Sequence, residues 1–283
     1  MPIIGGAMVP HPPLILPGVG KGAEAQIAKT TAAFEQVAAR VHGLKPDTVV
    51  ITTPHSVMYQ DYLHISGGQS ARGDFRRFGA GQEAFHVAYD QALAMRIGEL
   101  AQAARIPAGI KGERDPALDH GFMVPLHFLR QAMGSPWPCQ FLRIGLSGLS
   151  FETHYRLGMV IKDAAGQLGR RVFLVASGDL SHYGRADGPY GFRPEGPEYD
   201  RRIMDIMGRA AFDELLALPE KFCEQAGECG QRSFLILAGA LDGQKVRAEA
   251  LSYEGVTGVG YGVSMFTPEG PDATRHFVKR EEE

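Results

Sequence analysis

Cysteine is scarce in this sequence. Cys139, Cys223 and Cys229 form no CxxC pair and leave an odd thiol, which argues against a disulfide framework and fits a reducing cytoplasm. Long apolar runs are missing as well. The opening MPIIGGAMVPHPPLILP is apolar but has no basic start and is broken by prolines, so neither an export signal nor a membrane span is expected. Charge of one sign is lacking too: 29 Lys and Arg are set against 32 Asp and Glu, scattered along the chain. Without a basic field, nucleic acid gives way to a small molecule as the expected partner. No GxGxxG follows an expected strand, and neither a GxxxxGK[ST] loop nor a GxSxG elbow occurs. Those absences remove the common nucleotide-binding loops and the serine-hydrolase reading.

What is present is an ordinary globular balance, 44% apolar and 22% charged over 283 residues, enough for a sizeable core. Residues 3–9 and the β-branched run 48–53 predict buried strands, ended by Pro10 and Pro54. Between them Ile27, Thr31, Phe34, Val37 and Val41 mark one face of an amphipathic helix. A second β-α-β unit follows at 141–146, 151–168 and 172–176. The pattern predicts an α/β fold, a single-domain sandwich over residues 1–266 around a central, largely parallel or mixed sheet. The Gly- and Pro-rich stretch 184–197 predicts an irregular lid or wall. A helix at 233–241 and closing strands at 245–253 and 260–266 complete the domain, and the polar stretch 267–283 reads as a tail.

In such folds ligand sites gather beyond the carboxyl ends of parallel strands, where His11, His55 and His182 all fall. His11 in PHPP and His55 in TPHS have backbones stiffened by proline. Pre-aimed rings suit metal ligation, which needs nitrogens about 2.0–2.2 Å from the ion. In LDHGFMVPL, His120 stands beside Gly121, whose missing side chain would let a ligand approach, while Asp119 is equally placed to cap a helix. His182, in SGDLSHYG, projects over the same rim and suits proton transfer at neutral pH. Glu228, ahead of an apolar helix, reads either as a cation-binding carboxylate or as a helix cap. Two histidines and a carboxylate form the non-haem Fe(II) pattern. Zn²⁺ accepts the same set and would make a hydrolase.

MVPHPPL, TPHS, LDHGFMVPL, VASGDLSHYG, GPYGFRPEGPEYD and ECGQRSFLILAGAL together resemble the class III (LigB-type) extradiol ring-cleavage dioxygenase family. Within it they are most similar to the Memo-like branch, the dioxygenase-like part of the AmmeMemoRadiSam system. The resemblance runs from Met1 to Phe266. It implies Fe(II), or Zn or another divalent metal, held by His11, His55 and Glu228, with Cys229 as rival for the third position. It also implies His182 as base, His120 as second acid/base group, and an aromatic diol and O₂ as substrates. An association into homo-oligomers and an AMMECR-type partner domain are implied too. The Memo-like branch offers a second role, a metal or redox protein in a multi-protein modification system.

Overall fold

A computed structural model describes residues 1–279. In chain order it runs β1 (Ile3–Val9), α1 (Pro17–Gly20), α2 (Ala28–Leu44), β2 (Thr48–Thr53), β3 (Leu63–His64), β4 (Ser70–Phe75) and β5 (Ala80–Ala88). Next come α3 (Gln91–Ala103), β6 (Ala108–Gly109), α4 (His120–Met133), β7 (Gln140–Gly145), α5 (Phe151–Gln167) and β8 (Val172–Ser177). The last part holds α6 (Glu195–Arg209), α7 (Phe212–Leu216), α8 (Glu220–Ala226), α9 (Gln231–Ala240), β9 (Gln244–Glu254) and β10 (Tyr261–Pro271).

Six strands form the central sheet in the order β7-β2-β8-β1-β10-β9. The first four lie parallel, and β10 and β9 close the far edge antiparallel. Every residue of β2 and β8 is buried, because helices cover both faces, as expected for near-continuous apolar parallel strands. Successive side chains of a strand point to opposite faces, and each face has its own core. Val50, Leu174 and Ala176 meet α3, α5 and α9 through Ile97, Ile161 and Leu237. Val49, Ile51, Phe173 and Val175 meet α2 and α4 through Phe34, Val37 and Phe122. The expected sandwich is therefore present, with a sheet that is parallel at its centre and mixed at one edge.

Two boundaries differ from the sequence reading. Helix α6 begins at Glu195, inside the stretch expected to be irregular, and carries Pro197 in its first turn, where a missing N–H removes no helical bond. The polar stretch expected as a tail instead prolongs β10, with Thr267 opposite Arg247 and Pro271 opposite Gln244. Beyond it, the buried Asp242 carboxylate accepts from the backbone N–H of Phe277 at 3.1 Å and sits 2.7 Å from His276 Nδ1. Phe277 and Val278 pack on the core. The remainder of the expected tail, 280–283, lies outside the described residues.

Candidate metal centre

Strand β8 lies between β2 and β1, with Ser177 opposite Val9 and Ala176 opposite Thr52. Their carboxyl ends therefore bring His55, His11 and the loop 178–182 to one rim. His11 is fully buried and fixed from two sides. Its backbone N–H donates to Asp179 Oδ1 at 2.8 Å, and its Nδ1 lies 2.9 Å from Ser177 Oγ. The Ser177 hydroxyl proton is committed to the carbonyl of Gly121 at 2.6 Å, so Ser177 Oγ is left to accept, and His11 Nδ1 must be the protonated nitrogen. The bare Nε2 of His11 then faces His55 Nε2 at 2.9 Å.

His55 and His120 complete a group of three. The Thr53 hydroxyl donates to Asp119 at 2.6 Å and accepts from the backbone N–H of His55 at 3.2 Å, while Asp119 caps α4 by accepting from Phe122 N–H at 3.1 Å. One carboxylate thus ties the end of β2 to the start of α4, and the capping alternative for Asp119 is the one realised. Ring centroids are 4.1 Å apart for His55 and His120, and 4.7 Å for His11 and His55. Gly121 does not open a path for a ligand: a side chain there would lie 2.5 Å from Thr53 Oγ1 and 3.4 Å from His55 Cδ2. Its smallness lets α4 dock on β2.

Burial, and then the neighbouring imidazoles, hold His11 well below the ordinary histidine range. Burial, then the charge of His120, lowers His55 to about 4, and burial lowers His120 to about 4. All three rings are neutral at pH 7, which is the ligating form.

The loop after β8 supplies the rest. His182 Nδ1 bonds the carbonyl of Gly227, so that nitrogen carries the proton and Nε2 is the acceptor. Asp179 is buried, and burial raises its carboxyl to about 6. Cys229 Sγ lies 3.6 Å from His11 Nε2 and accepts from Asp179 N–H at 3.2 Å. Ligand atoms of His11, Asp179 and Cys229 lie within 4.8 Å of one another, as do those of His11, His55 and His120. Nitrogens, a carboxylate and a thiol converging on one bare imidazole nitrogen fit a divalent transition metal.

Glu228 stands apart from this set. Its carboxylate accepts from Gln231 N–H at 2.5 Å at the start of α9, the cap that was the alternative reading, and it belongs to neither ligand group. Adjacent residues of this loop point apart, and Cys229 is the one turned to His11. The two loops approach closely beside it: a side chain on Gly178 would come within 2.1 Å of the Gly230 Cα.

The histidines open into a cleft of about 490 Å³ whose walls include Asp179, Tyr190, Val259 and Tyr261. Tyr190 stands edge-on to His182 at 5.2 Å, so the segment expected to be a wall does form one. Sequence reading missed Ser177, Asp179 and Phe78. Asp179 stood in the quoted SGDLSHYG, two residues past the strand. Phe78, 5.4 Å from the His120 ring, arrives from a hairpin that no motif marked.

Residues 5–264 match the family model described as the catalytic LigB subunit of aromatic ring-opening dioxygenase. The chain belongs to the LigB family. A Clostridium acetobutylicum protein is 37% identical over 97% of this chain and 60% of its own length. A 2-aminophenol 1,6-dioxygenase beta subunit from a Pseudomonas species is 26% identical over 92% of both chains. A MEMO1 family protein of Pyrococcus furiosus is 29% identical over 59% of this chain. This LigB chain spans about three fifths of the length of the Clostridium and Pyrococcus relatives. The crystal structure of an uncharacterized Escherichia coli K12 protein shares the fold, with a TM-score of 0.59 over 93% of this chain and 99% of that one at 15% identity. Among the described residues no helix is long and apolar enough to cross a membrane.

Proposed function

We propose that this LigB-family protein is an Fe(II)-dependent extradiol dioxygenase that opens the ring of a catechol-like diol in the cytoplasm. The observation that carries the reading is the bare Nε2 of His11, fixed through Ser177 and facing His55 at 2.9 Å, in a cleft that His182 also lines. His11 and His55 would hold the metal with Asp179, a two-histidine, one-carboxylate set. Fe(II) bound there supplies the redox link between a chelated diol and dioxygen.

The protein's own groups do the rest. Nε2 of His182, with Nδ1 tied to Gly227, takes a hydroxyl proton from the diol as it binds. His120 stacks on His55 at 4.1 Å and faces Phe78 at 5.4 Å, and would serve as a second proton-transfer group. Tyr190, Val259 and Tyr261 give the cleft an aromatic and apolar wall against which a ring can pack. Acid/base groups of this kind contribute about 10²- to 10⁴-fold each.

The test is anaerobic reconstitution with Fe(II), then oxygen uptake and visible spectra with a panel of catechols. The expected result is uptake with a yellow ring-opened product. His182→Ala keeps the metal and loses turnover by at least about 10²-fold, whereas His11→Ala loses the metal. A metal-retaining wild type that consumes no oxygen with any diol overturns the proposal.

A second reading rests on Cys229, 3.6 Å from His11 Nε2. A thiolate ligand would turn the site toward thiophilic metals and toward the Memo-like metal or redox role, with an AMMECR-type domain as partner. A zinc-dependent hydrolase on the same ligands would work without oxygen.

A further inference from the structure

A second and larger chamber, about 990 Å³, lies behind the cleft, and His55, Phe78 and His120 line both. Phe78 sits between them at the tip of the β4–β5 hairpin, in the turn Arg76–Phe78. The two cavities therefore adjoin at Phe78, which puts the chamber within reach of a substituent on a ring bound in the cleft.

The chamber's chemistry differs from that of the cleft. Arg72 on β4 and Arg77 in the turn face it, and among the described residues neither guanidinium has an ion pair or hydrogen bond. Of the three carboxylates around it, Asp74 and Asp119 sit beside other arginines and Asp115 holds a backbone N–H. Asp74 pairs with Arg76 at 3.4 Å and accepts its N–H at 2.9 Å. Asp115 accepts from Ala117 N–H at 3.1 Å. Asp119 caps α4 and lies 3.7 Å from Arg143. Arg143, the next arginine inward, is saturated by Ser66, Glu113 and the carbonyls of Ala117 and Asp115. Two uncommitted guanidiniums over a partly apolar wall at Phe85 and Met123 suit one kind of guest, an apolar arm that ends in an anion.

We propose that this chamber is a substrate subsite, in which Arg72 and Arg77 bind an anionic group, carboxylate or phosphate, carried on an arm of the aromatic substrate. The assignment rests on the ring-binding reading of the cleft and narrows its substrate class to acidic aromatics with a side arm.

Binding can be measured by calorimetry without metal or oxygen, on the full chain, with 3-phenylpropanoate, its neutral analogue 3-phenylpropanol, and inorganic phosphate. The acid is expected to bind about tenfold more tightly than the alcohol, the usual size of one charge-assisted hydrogen bond. The double variant Arg72→Gln, Arg77→Gln should erase that preference. Equal binding of acid and alcohol, binding of neither, or a preference that survives the double variant overturns the subsite. Phosphate that binds wild type with no preference for the acid also overturns it, since that marks a site for the free anion. With Fe(II) restored, the acid's dihydroxy counterpart, 3-(3,4-dihydroxyphenyl)propanoate, should show a KM about tenfold below that of 4-methylcatechol. An intact acid preference with no oxygen uptake on any diol sinks the dioxygenase reading and leaves the anion subsite standing.

Discussion

The hydroxyl of Ser177 touches no reacting atom, yet it decides which nitrogen of His11 is bare. Its proton goes to Gly121 and its lone pair receives His11 Nδ1–H, so α4, β8 and the metal site share one short relay. Ser177→Ala leaves the His11 tautomer free and removes the acceptor behind the ligand. Metal affinity should fall about 10- to 100-fold, the usual cost of losing such a partner, as read by competition with a chelator; unchanged affinity would show that the relay does not set the tautomer. At this scale the sequence was informative about position and silent about direction. His11, His55, His120 and His182 were legible because each follows a strand end or opens a helix. Glu228 and Cys229 are neighbours, and nothing in ECGQRS told which would turn inward. The fold shows it, with Cys229 held by Asp179 N–H and Glu228 by Gln231 N–H.

The carboxylate of Glu228 makes the start of α9 sensitive to pH. Burial raises its carboxyl from the ordinary 4.5 to about 7 against the helping N–H of Gln231. A folded value above the unfolded one means that the native state holds the proton longer. The stabilisation from that proton is complete below about pH 4.5 and is lost as pH rises to about 7. Glu228→Gln cannot ionise and should keep the cap, so wild type should lose on the order of 3 kcal/mol relative to the variant across that window. Urea denaturation of both proteins at pH 4.5 and pH 8 checks this, and parallel stability curves would refute it.

Other elements show which patterns the sequence could reveal. Strands β1, β2, β7 and β8 were readable because burial on both faces demands unbroken apolar runs. The β4–β5 hairpin was not, since Ser70–Phe75 mixes exposed Arg72 and half-buried Asp74 with buried Ala71 and Phe75 and its charge reads as loop. Helix α3 left a usable signal in the Asp90 cap, which accepts from Leu93 N–H, and in buried Leu93, Ala94, Ile97 and Ala101.

For the molecule as a whole, the chain beyond β10 acts as a clamp. Asp242, 1% exposed, takes the Tyr155 hydroxyl at 2.6 Å and the backbone N–H of Phe277 at 3.1 Å, with His276 Nδ1 at 2.7 Å. Ending the chain at Pro271 strips away two of these partners and the packing of Phe277 and Val278. A buried carboxylate left short of partners costs about 3 kcal/mol, so the shortened protein should unfold at lower denaturant by that amount; an unchanged midpoint would show that the segment is dispensable. The Gly178–Gly230 contact has a genetic consequence at the same scale. A side chain at Gly230 would strike the Phe234 ring at 2.3 Å, whereas one at Gly178 strikes backbone at 2.1 Å. A smaller residue at 234 can therefore suppress a change at Gly230, but no trimmed neighbour rescues Gly178. In a selection for activity Gly178 scores beside the histidines while taking no part in the chemistry.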